Sequence, residues 1–296
     1  MGSGDFPFRK VAILGTGLMG GSLAGALKRL PVPPEIVGTS KDPIDTAEAL
    51  ARGWVDRIED RNDDAVKGAD LIVLAVPPSV ISTIMDEISA SISSSSTVTD
   101  LCSVKGSLFE EYKSRFSTKF PKYTSSHPMA GSERTGMTAA RADLFLGKTV
   151  FLTPFGSERI ATENLSRMWE SLGARTLSIS PEEHDGIVAH ISHLPHVLSY
   201  CLLDLVEKVK KENRFSGFDW QSQKGGSFTD ILRIAHSSPT LWSDILYQNR
   251  SAILDALEHF DHEIKIFQSA LQQDDSKELS RLLLEWTAPL SETRTL

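Results

Sequence analysis

The sequence predicts a doubly wound α/β domain over residues 9–155, followed by an all-helical, dimer-forming domain over 156–296. Three observations carry that expectation. Short, uniformly apolar runs alternate with amphipathic stretches as far as Pro154, a glycine-rich turn joins the first run to the first helix, and later apolar residues recur mostly three and four apart. Strands apolar on both faces belong to a parallel sheet covered by helices on each side, whereas a half-exposed sheet would alternate apolar and polar residues.

The elements follow in order. KVAILG from Lys10 is a strand, TGLMGG a turn and SLAGALKRL a helix with an apolar face. EIVGTS is the second strand, DTAEALARG a helix, WVDRI a short strand, DDAVKGA a helix and DLIVLAVPP the fourth strand. The alternation continues through STVTD, a helix from about Val104, YTSSH and KTVFLTP, which Pro154 ends. One more strand-like piece, ARTLSI, follows a helix, and from about Pro181 the pattern is helical. Leu241 to Gln272 reads as a long helix with more apolar surface than a small domain buries, a property of helices that pack against a second subunit.

Composition narrows the function. A net charge of −8 excludes a nucleic-acid backbone or an anionic membrane as the main partner and favours small-molecule chemistry. Two cysteines, Cys102 and Cys201, are too far apart and too few for a disulfide framework or a zinc site, which fits a reducing cytoplasm. No run approaches the roughly 18 apolar residues of a membrane span, and the N-terminus lacks the layout of a signal peptide.

Gly15-Thr16-Gly17-Leu18-Met19-Gly20 matches G-x-G-x-x-G between a strand and a helix, the dinucleotide fingerprint of a Rossmann-type domain. Gly15 permits the tight turn, Gly17 lets the backbone approach a pyrophosphate at the helix N-terminus, and Gly20 allows helix and strand to touch. The second strand of an NAD-binding domain ends in an acidic residue that holds the ribose hydroxyls. Here Ser40 stands at that position with Lys41 after it, a hydroxyl and a cation suited to a 2′-phosphate, so NADP is preferred and NAD remains possible. The alternatives are that Lys41 is a solvated charge or that Asp42 takes the ribose role. Val76 and Pro77, in the turn after the fourth strand, either wall the cofactor or form a rigid connector.

Three segments then place chemistry near strand ends: DLCSVKG with Ser103 and Lys105, SSHPMAG with His127, and HDGIVAHISHLPHVLSY with His184, His190, His193 and His196 on one helix. A histidine beside a bound nicotinamide can take the proton from an alcohol while hydride leaves the same carbon. His190 and His193 lie three apart, yet no carboxylate or cysteine cluster completes a ligand set, so no metal is expected.

VAILGTGLMGGSLAGAL, DLCSVKG, SSHPMAGSERTG, ISHLPHVLS and GGSFTDILRIAHSSPTLWSDILYQN together resemble the prephenate/arogenate dehydrogenase family of tyrosine biosynthesis, from about Lys10 to Gln272. That resemblance implies hydride transfer from the 4-carbinol of a cyclohexadiene to the nicotinamide, with loss of the ring carboxylate as CO₂. It implies His127 as the catalytic base, Ser103 as the residue that holds His127 and the hydroxyl in register, His196 in the substrate pocket and Arg233 on a substrate carboxylate. Ser132, Glu133, Asp230 and Trp242 match positions around that pocket. A homodimer is expected from the apolar surface of the C-terminal helices. Arg233 has a competing reading as a surface ion pair with Asp230, three residues earlier on the same helix. The N-terminus begins almost at the first strand, so we expect no chorismate mutase or regulatory segment and any tyrosine inhibition to act at the active site.

Prephenate is the expected substrate, with arogenate, or both cyclohexadienes, as the alternative. A dehydrogenase of β-hydroxy acids would carry a catalytic lysine where this chain has its His-Leu-Pro-His segment. A non-catalytic NADP sensor would need the glycines but not Ser103, His127 and Arg233 together.

Overall fold

A computed structural model describes residues 6–156, 158–212, 215–273 and 276–292. Two compact units are present, residues 1–250 and residues 251–296. In the first, β1 (Lys10–Leu14), β2 (Glu35–Thr39), β3 (Arg57–Ile58), β4 (Leu71–Leu74) and β5 (Thr97–Asp100) form a parallel sheet in the order β3-β2-β1-β4-β5. Helices α1 (Leu18–Lys28), α2 (Pro43–Ala51), α3 (Asn62–Ala65), α4 (Ile81–Ile88) and α5 (Gly106–Arg115) connect or follow these strands. Both faces of the sheet are buried. Val11, Ile13, Leu71 and Val73 pack into a core with Leu23, Leu27 and Trp169, while Ala12, Leu14, Ile72 and Leu74 pack into another with Ile84, Ile88 and Leu108. This period of two explains why Val11–Leu14 and Leu71–Leu74 are apolar at every position. Each fully buried leucine or isoleucine contributes roughly 1.5–3 kcal/mol.

The register aligns the strand ends: Leu14 pairs with Thr39 and Leu74, and Leu74 with Asp100. Chain direction through the sheet reverses between β1 and β4, so the turns after Leu14 and Leu74 splay apart there and open a crevice.

The expected continuation of a parallel alternation fails after β5. β6 (Thr124–Pro128) adds through a single parallel bridge, Val98 to Tyr123, but β7 (Thr149–Pro154) runs antiparallel to β6. The reason lies in the connection. A parallel return needs a crossover, usually a helix, and residues 129–148 hold only a short 3-10 turn, Met137–Ala139. β8 (Arg175–Ser178), after α6 (Arg159–Ser171), pairs parallel with β7 and so extends this second sheet past residue 155.

Helical structure dominates from Pro181. α7 (Pro181–Val188) begins with a capping box between Ser180 and Glu183, then passes through a π-helical turn (Ala189–His193) into α8 (Leu194–Lys211). Pro195, which cannot donate a backbone hydrogen bond, lies two residues past the widened turn. This continuous helix of 31 residues contains a window of mean hydropathy 1.2, which corrects the expectation that no stretch reaches membrane-span length and apolarity. It also buries His184, Asp185 and His193, each hydrogen-bonded to groups of the same unit, which marks a helix built into a folded domain.

α9 (Trp220–Gln223), α10 (Gly226–Ala235) and α11 (Pro239–Gln248) complete the first unit. The single helix expected from Leu241 to Gln272 is broken at Asn249, which leaves the helical pattern and spends its buried amide on the carbonyl of Asp185 and on His193 Nδ1. The second unit consists of α12 (Arg250–Gln272, which starts one residue earlier) and α13 (Ser276–Glu292). Phe267 and Trp286 stack between these helices with centroids 6.1 Å apart, while Ile264, Ile266, Leu271, Leu283 and Leu284 remain exposed.

One buried ion pair ties the two sheets together. Lys105 Nζ, with no exposure, donates to Asp100 Oδ1 at 2.9 Å and to the carbonyls of Cys102 and Ser126. Asp100 also accepts from the Cys102 N–H, the Tyr123 hydroxyl and the Ser125 hydroxyl. Asp100→Ala leaves the ammonium buried without its counter-charge and is expected to cost about 3–5 kcal/mol in denaturant unfolding. A loss under about 1 kcal/mol contradicts this account of the pair.

Candidate active site

Glycines shape the first part of the site, and they do not share one job. A Cβ on Gly15, whose φ is +104°, would meet the Ala75 carbonyl oxygen at 2.4 Å, and one on Gly20 would meet the Gly15 carbonyl oxygen at 2.0 Å. Both are required by the packing of the turn itself. Gly17 differs: the nearest atom to its added Cβ is Asp45 Oδ2 at an ordinary 3.5 Å. Its missing side chain leaves open the approach to the N-terminus of α1, which has no side-chain cap and no acidic residue in its first turn. Unfilled N–H groups at a helix start, with backbone exposed before them, fit a pyrophosphate.

A crevice of about 660 Å³ runs beside this turn at the strand ends, lined by Gly15, Ser40, Lys41, Arg61, Val76 and Pro77 among others. Asp42 is absent from its wall. The Asp42 side chain instead caps α2 through the Ile44 N–H at 2.8 Å, and the Asp42 N–H is held by the Ser40 hydroxyl. Asp60, Asp63 and Glu87 also line the crevice, and Arg61 is engaged by Asp63. Lys41 is the one lysine on this wall.

A second recess of about 310 Å³ shares Val76 and Pro77 with the crevice and brings together Leu18, Met19, Ser103, His127, Ser132, Glu133 and Trp242. Thus residues from β1–α1, the β4 and β5 ends, the β6 loop and α11 converge from separate parts of the sequence. His127 lies at the end of β6, where its ring is only 7% exposed. Burial holds its imidazole well below its ordinary pKa, with His184, Lys105 and His193 acting in the same direction. Uncharged at neutral pH, it is available as a base.

His127 is hydrogen-bonded to a second histidine. Its Nδ1 lies 2.8 Å from His184 Nε2, and His184 Nδ1 lies 2.8 Å from Asp185 Oδ1. Ser103 lines the same recess, but among the described residues no hydrogen bond joins it to His127. The ring is held on its Nδ1 side by His184. Sequence analysis left His184 and Asp185 without a role because they stand 57 and 58 residues beyond His127, in a run of histidines whose spacing suggests only a shared helix. The adjacent acidic residue was the one available signal.

The remaining expected residues divide between two places. His196 stacks on Trp242 with centroids 3.4 Å apart, and burial followed by the charge of Arg233 lowers its pKa to about 4. Arg233 lines a neighbouring recess of about 530 Å³ with Trp220, Lys224 and His236, and Glu133 lines both recesses. Asp230 is exposed on α10, lines neither recess, and forms no ion pair with Arg233 among the described residues. Cys102 is buried against the Val76 carbonyl, and burial followed by Asp100 pushes its thiol well above the ordinary range, as suits packing rather than reactivity.

Comparison with known proteins decides the family. Residues 23–178 match the family model described as prephenate dehydrogenase, nucleotide-binding domain, and residues 180–285 match prephenate dehydrogenase, dimerization domain. The chain belongs to the prephenate dehydrogenase family. It is 34% identical over 271 residues to cyclohexadienyl dehydrogenase of Zymomonas mobilis, covering 90% of each chain. Prephenate dehydrogenase of Bacillus subtilis is 31% identical, over 92% of this chain and 72% of that one. Among solved structures, prephenate dehydrogenase of Aquifex aeolicus in complex with hydroxyphenyl propionate and NAD⁺ superposes with a TM-score of 0.87 at 29% identity, covering 96% and 98% of the two chains. Synechocystis arogenate dehydrogenase gives 0.77 at 25% identity, covering 96% and 99%. Membership makes this chain an NAD(P)-type oxidoreductase with a Rossmann-like domain followed by a helical one.

The glycine geometry separates folding from ligand binding. Gly17→Ala is expected to change unfolding free energy by no more than about 1 kcal/mol while weakening dinucleotide binding roughly tenfold or more, read by fluorescence titration. Unchanged affinity would remove Gly17 from the cofactor site.

Proposed function

We propose that this protein is a prephenate dehydrogenase that oxidises and decarboxylates prephenate to 4-hydroxyphenylpyruvate, with NADP preferred over NAD, acting as a homodimer in the cytoplasm. The observation that carries the reading is the neutral, buried His127 facing the same recess as Leu18 and Met19 of the fingerprint turn. A dinucleotide bound along the crevice supplies the hydride acceptor; the protein supplies position and a base. Gly17 with the α1 N-terminus would receive the pyrophosphate on the turn that Gly15 and Gly20 shape, Leu18, Met19, Val76 and Pro77 would bracket the nicotinamide end, and Ser40 with Lys41 would receive the 2′-phosphate. His127 Nε2 accepts the proton of the 4-hydroxyl as hydride leaves its carbon. Loss of CO₂ then pushes an electron pair into the ring, and the oxygen regains a proton as the phenol forms. Aromatisation drives that step, so one base suffices.

Arg233 is assigned to the side-chain carboxylate of the substrate, an assignment supported by the shared Glu133 wall and by the need for a cation toward a dianion in a protein of charge −8, while the neutral His196, stacked on Trp242, belongs to the substrate pocket. Ser103, which lines the recess with His127, holds the histidine and the hydroxyl in register. Ser132, Glu133 and Trp242 close the recess, and Asp230 serves the approach to Arg233. The exposed apolar faces of α12 and α13 support the dimer. A second reading rests on Glu133, which forms no ion pair among the described residues and can meet the ammonium of arogenate.

Initial rates with prephenate and arogenate, each with NAD and NADP, test the whole reading. The expected result is high turnover with prephenate and NADP; turnover with arogenate alone replaces the substrate, and no turnover from folded protein rejects the function.

His127→Asn is expected to lower kcat by roughly 10²-fold with little change in KM. Because only the neutral ring accepts the proton and its pKa is lowered, wild-type activity holds at high pH and falls as pH drops through a midpoint below 6.5. A midpoint at or above 6.5 contradicts the burial of this base.

Ser40→Asp puts a carboxylate where the 2′-phosphate is read to lie. The ratio of kcat/KM for NADP to that for NAD is expected to fall by roughly tenfold or more, and an unchanged ratio overturns the assignment of Ser40.

A further inference from the structure

The fingerprint SVKG ends in a glycine that no turn requires. A Cβ on Gly106 would meet Asp185 Oδ2 at 2.9 Å, so the residue is small in order to admit a carboxylate from another element. Asp185, on α7, reaches the first turn of α5 and accepts the N–H of Lys105 on Oδ1 at 2.8 Å and the N–H of Gly106 on Oδ2 at 2.7 Å. α5 has no side-chain cap of its own; its cap arrives from a residue 79 positions away. Two backbone donors at a helix N-terminus fix that carboxylate in place and in orientation.

A carboxylate has no hydrogen to give. His184 Nδ1, 2.8 Å from Asp185 Oδ1, must therefore donate. Burial lowers the pKa of His184 against the opposing pull of Asp185, with Lys105 adding to the lowering, so the ring is neutral and its Nε2 is an acceptor. His127 Nδ1, 2.8 Å from that Nε2, must then be the donor of their bond. One proton remains assigned to His127, and it is on the side away from the recess.

We infer that Gly106, Asp185 and His184 form a positioning chain that holds His127 as its Nδ1–H tautomer and leaves Nε2 bare toward the recess. This deepens, and rests on, the reading of His127 as the base. The other tautomer would present an N–H to the substrate hydroxyl and could not take its proton. None of the three residues touches the reacting atoms; each acts through the next.

The direct test is ¹⁵N NMR of ring-labelled full-length protein, with the His127 signals identified by their loss in His127→Asn. The expected wild-type spectrum has a protonated Nδ1 and an unprotonated Nε2 at neutral pH; the reverse pattern overturns the inference. Asp185→Asn brings an amide that cannot accept from all three donors at once. It is expected to shift His127 toward Nε2–H and to lower kcat roughly 10- to 100-fold, with KM within about threefold. His184→Gln keeps a carbonyl acceptor for His127 and should retain more kcat than His184→Phe, which keeps none. Equal kcat in the two variants, or wild-type kcat in His184→Phe, sinks the chain. The tautomer measurement needs no substrate, so an Nδ1–H His127 in a protein that turns over neither cyclohexadiene supports the positioning chain and rejects only the functional reading.

Discussion

Burying the ammonium of Lys105 is the constraint around which the site is organised. A lysine with no exposure is tolerable only if its charge is paired and its donors are filled, and three acceptors from two stretches of chain do this: the Asp100 carboxylate and Cys102 carbonyl at and just after the end of β5, and the Ser126 carbonyl in β6. Those acceptors come together only when β6 lies beside β5, and the Ser126 carbonyl immediately precedes His127. The same residue's backbone N–H takes hold of Asp185. One buried lysine thus sets the position of His127 from the strand side and, through Asp185 and His184, from the helix side.

Around this centre the fold divides its labour between backbone and side chain. The parallel sheet aligns the ends of β1, β2, β4 and β5, and the reversal of strand order between β1 and β4 opens space there without any residue being specialised to open it. Gly15 and Gly20 are consumed by this packing, since a methyl group on either would strike a backbone oxygen. Gly17 is left over for a ligand. Three glycines in one motif therefore carry two different constraints, and a substitution at each has a different meaning.

The histidines show how burial selects chemistry. His127, His184, His193 and His196 are all held below the ordinary imidazole pKa, and burial is the largest cause in each case. A cluster of neutral rings differs from a cationic patch: it offers acceptors and directed donors, while the cationic side chains Arg233 and Lys224 line the neighbouring recess. Under the proposed reading of His127 as the base, a ring that is already neutral needs no prior loss of a proton before it acts.

Much of this was legible in the sequence alone. Uniformly apolar strands determined a sheet buried on both faces, G-x-G-x-x-G after the first of them determined a turn with a helix N-terminus open to an anion, and five motifs in order determined the family. Local pattern suffices for these because each is written within a few consecutive residues. Other features could not be read there. The antiparallel turn of β7 depended on how little helix residues 129–148 can form, and the break at Asn249 on buried partners 56 and 64 residues away. The same holds for the chemical core. In the sequence, Gly106 and Asp185 have no role and His184 is one histidine among several, because their meaning lies in distances below 3 Å between segments far apart in the chain. Hydrogen bonds of that reach have no period and no spacing in the sequence, so only tertiary structure decided which nitrogen of His127 faces the recess.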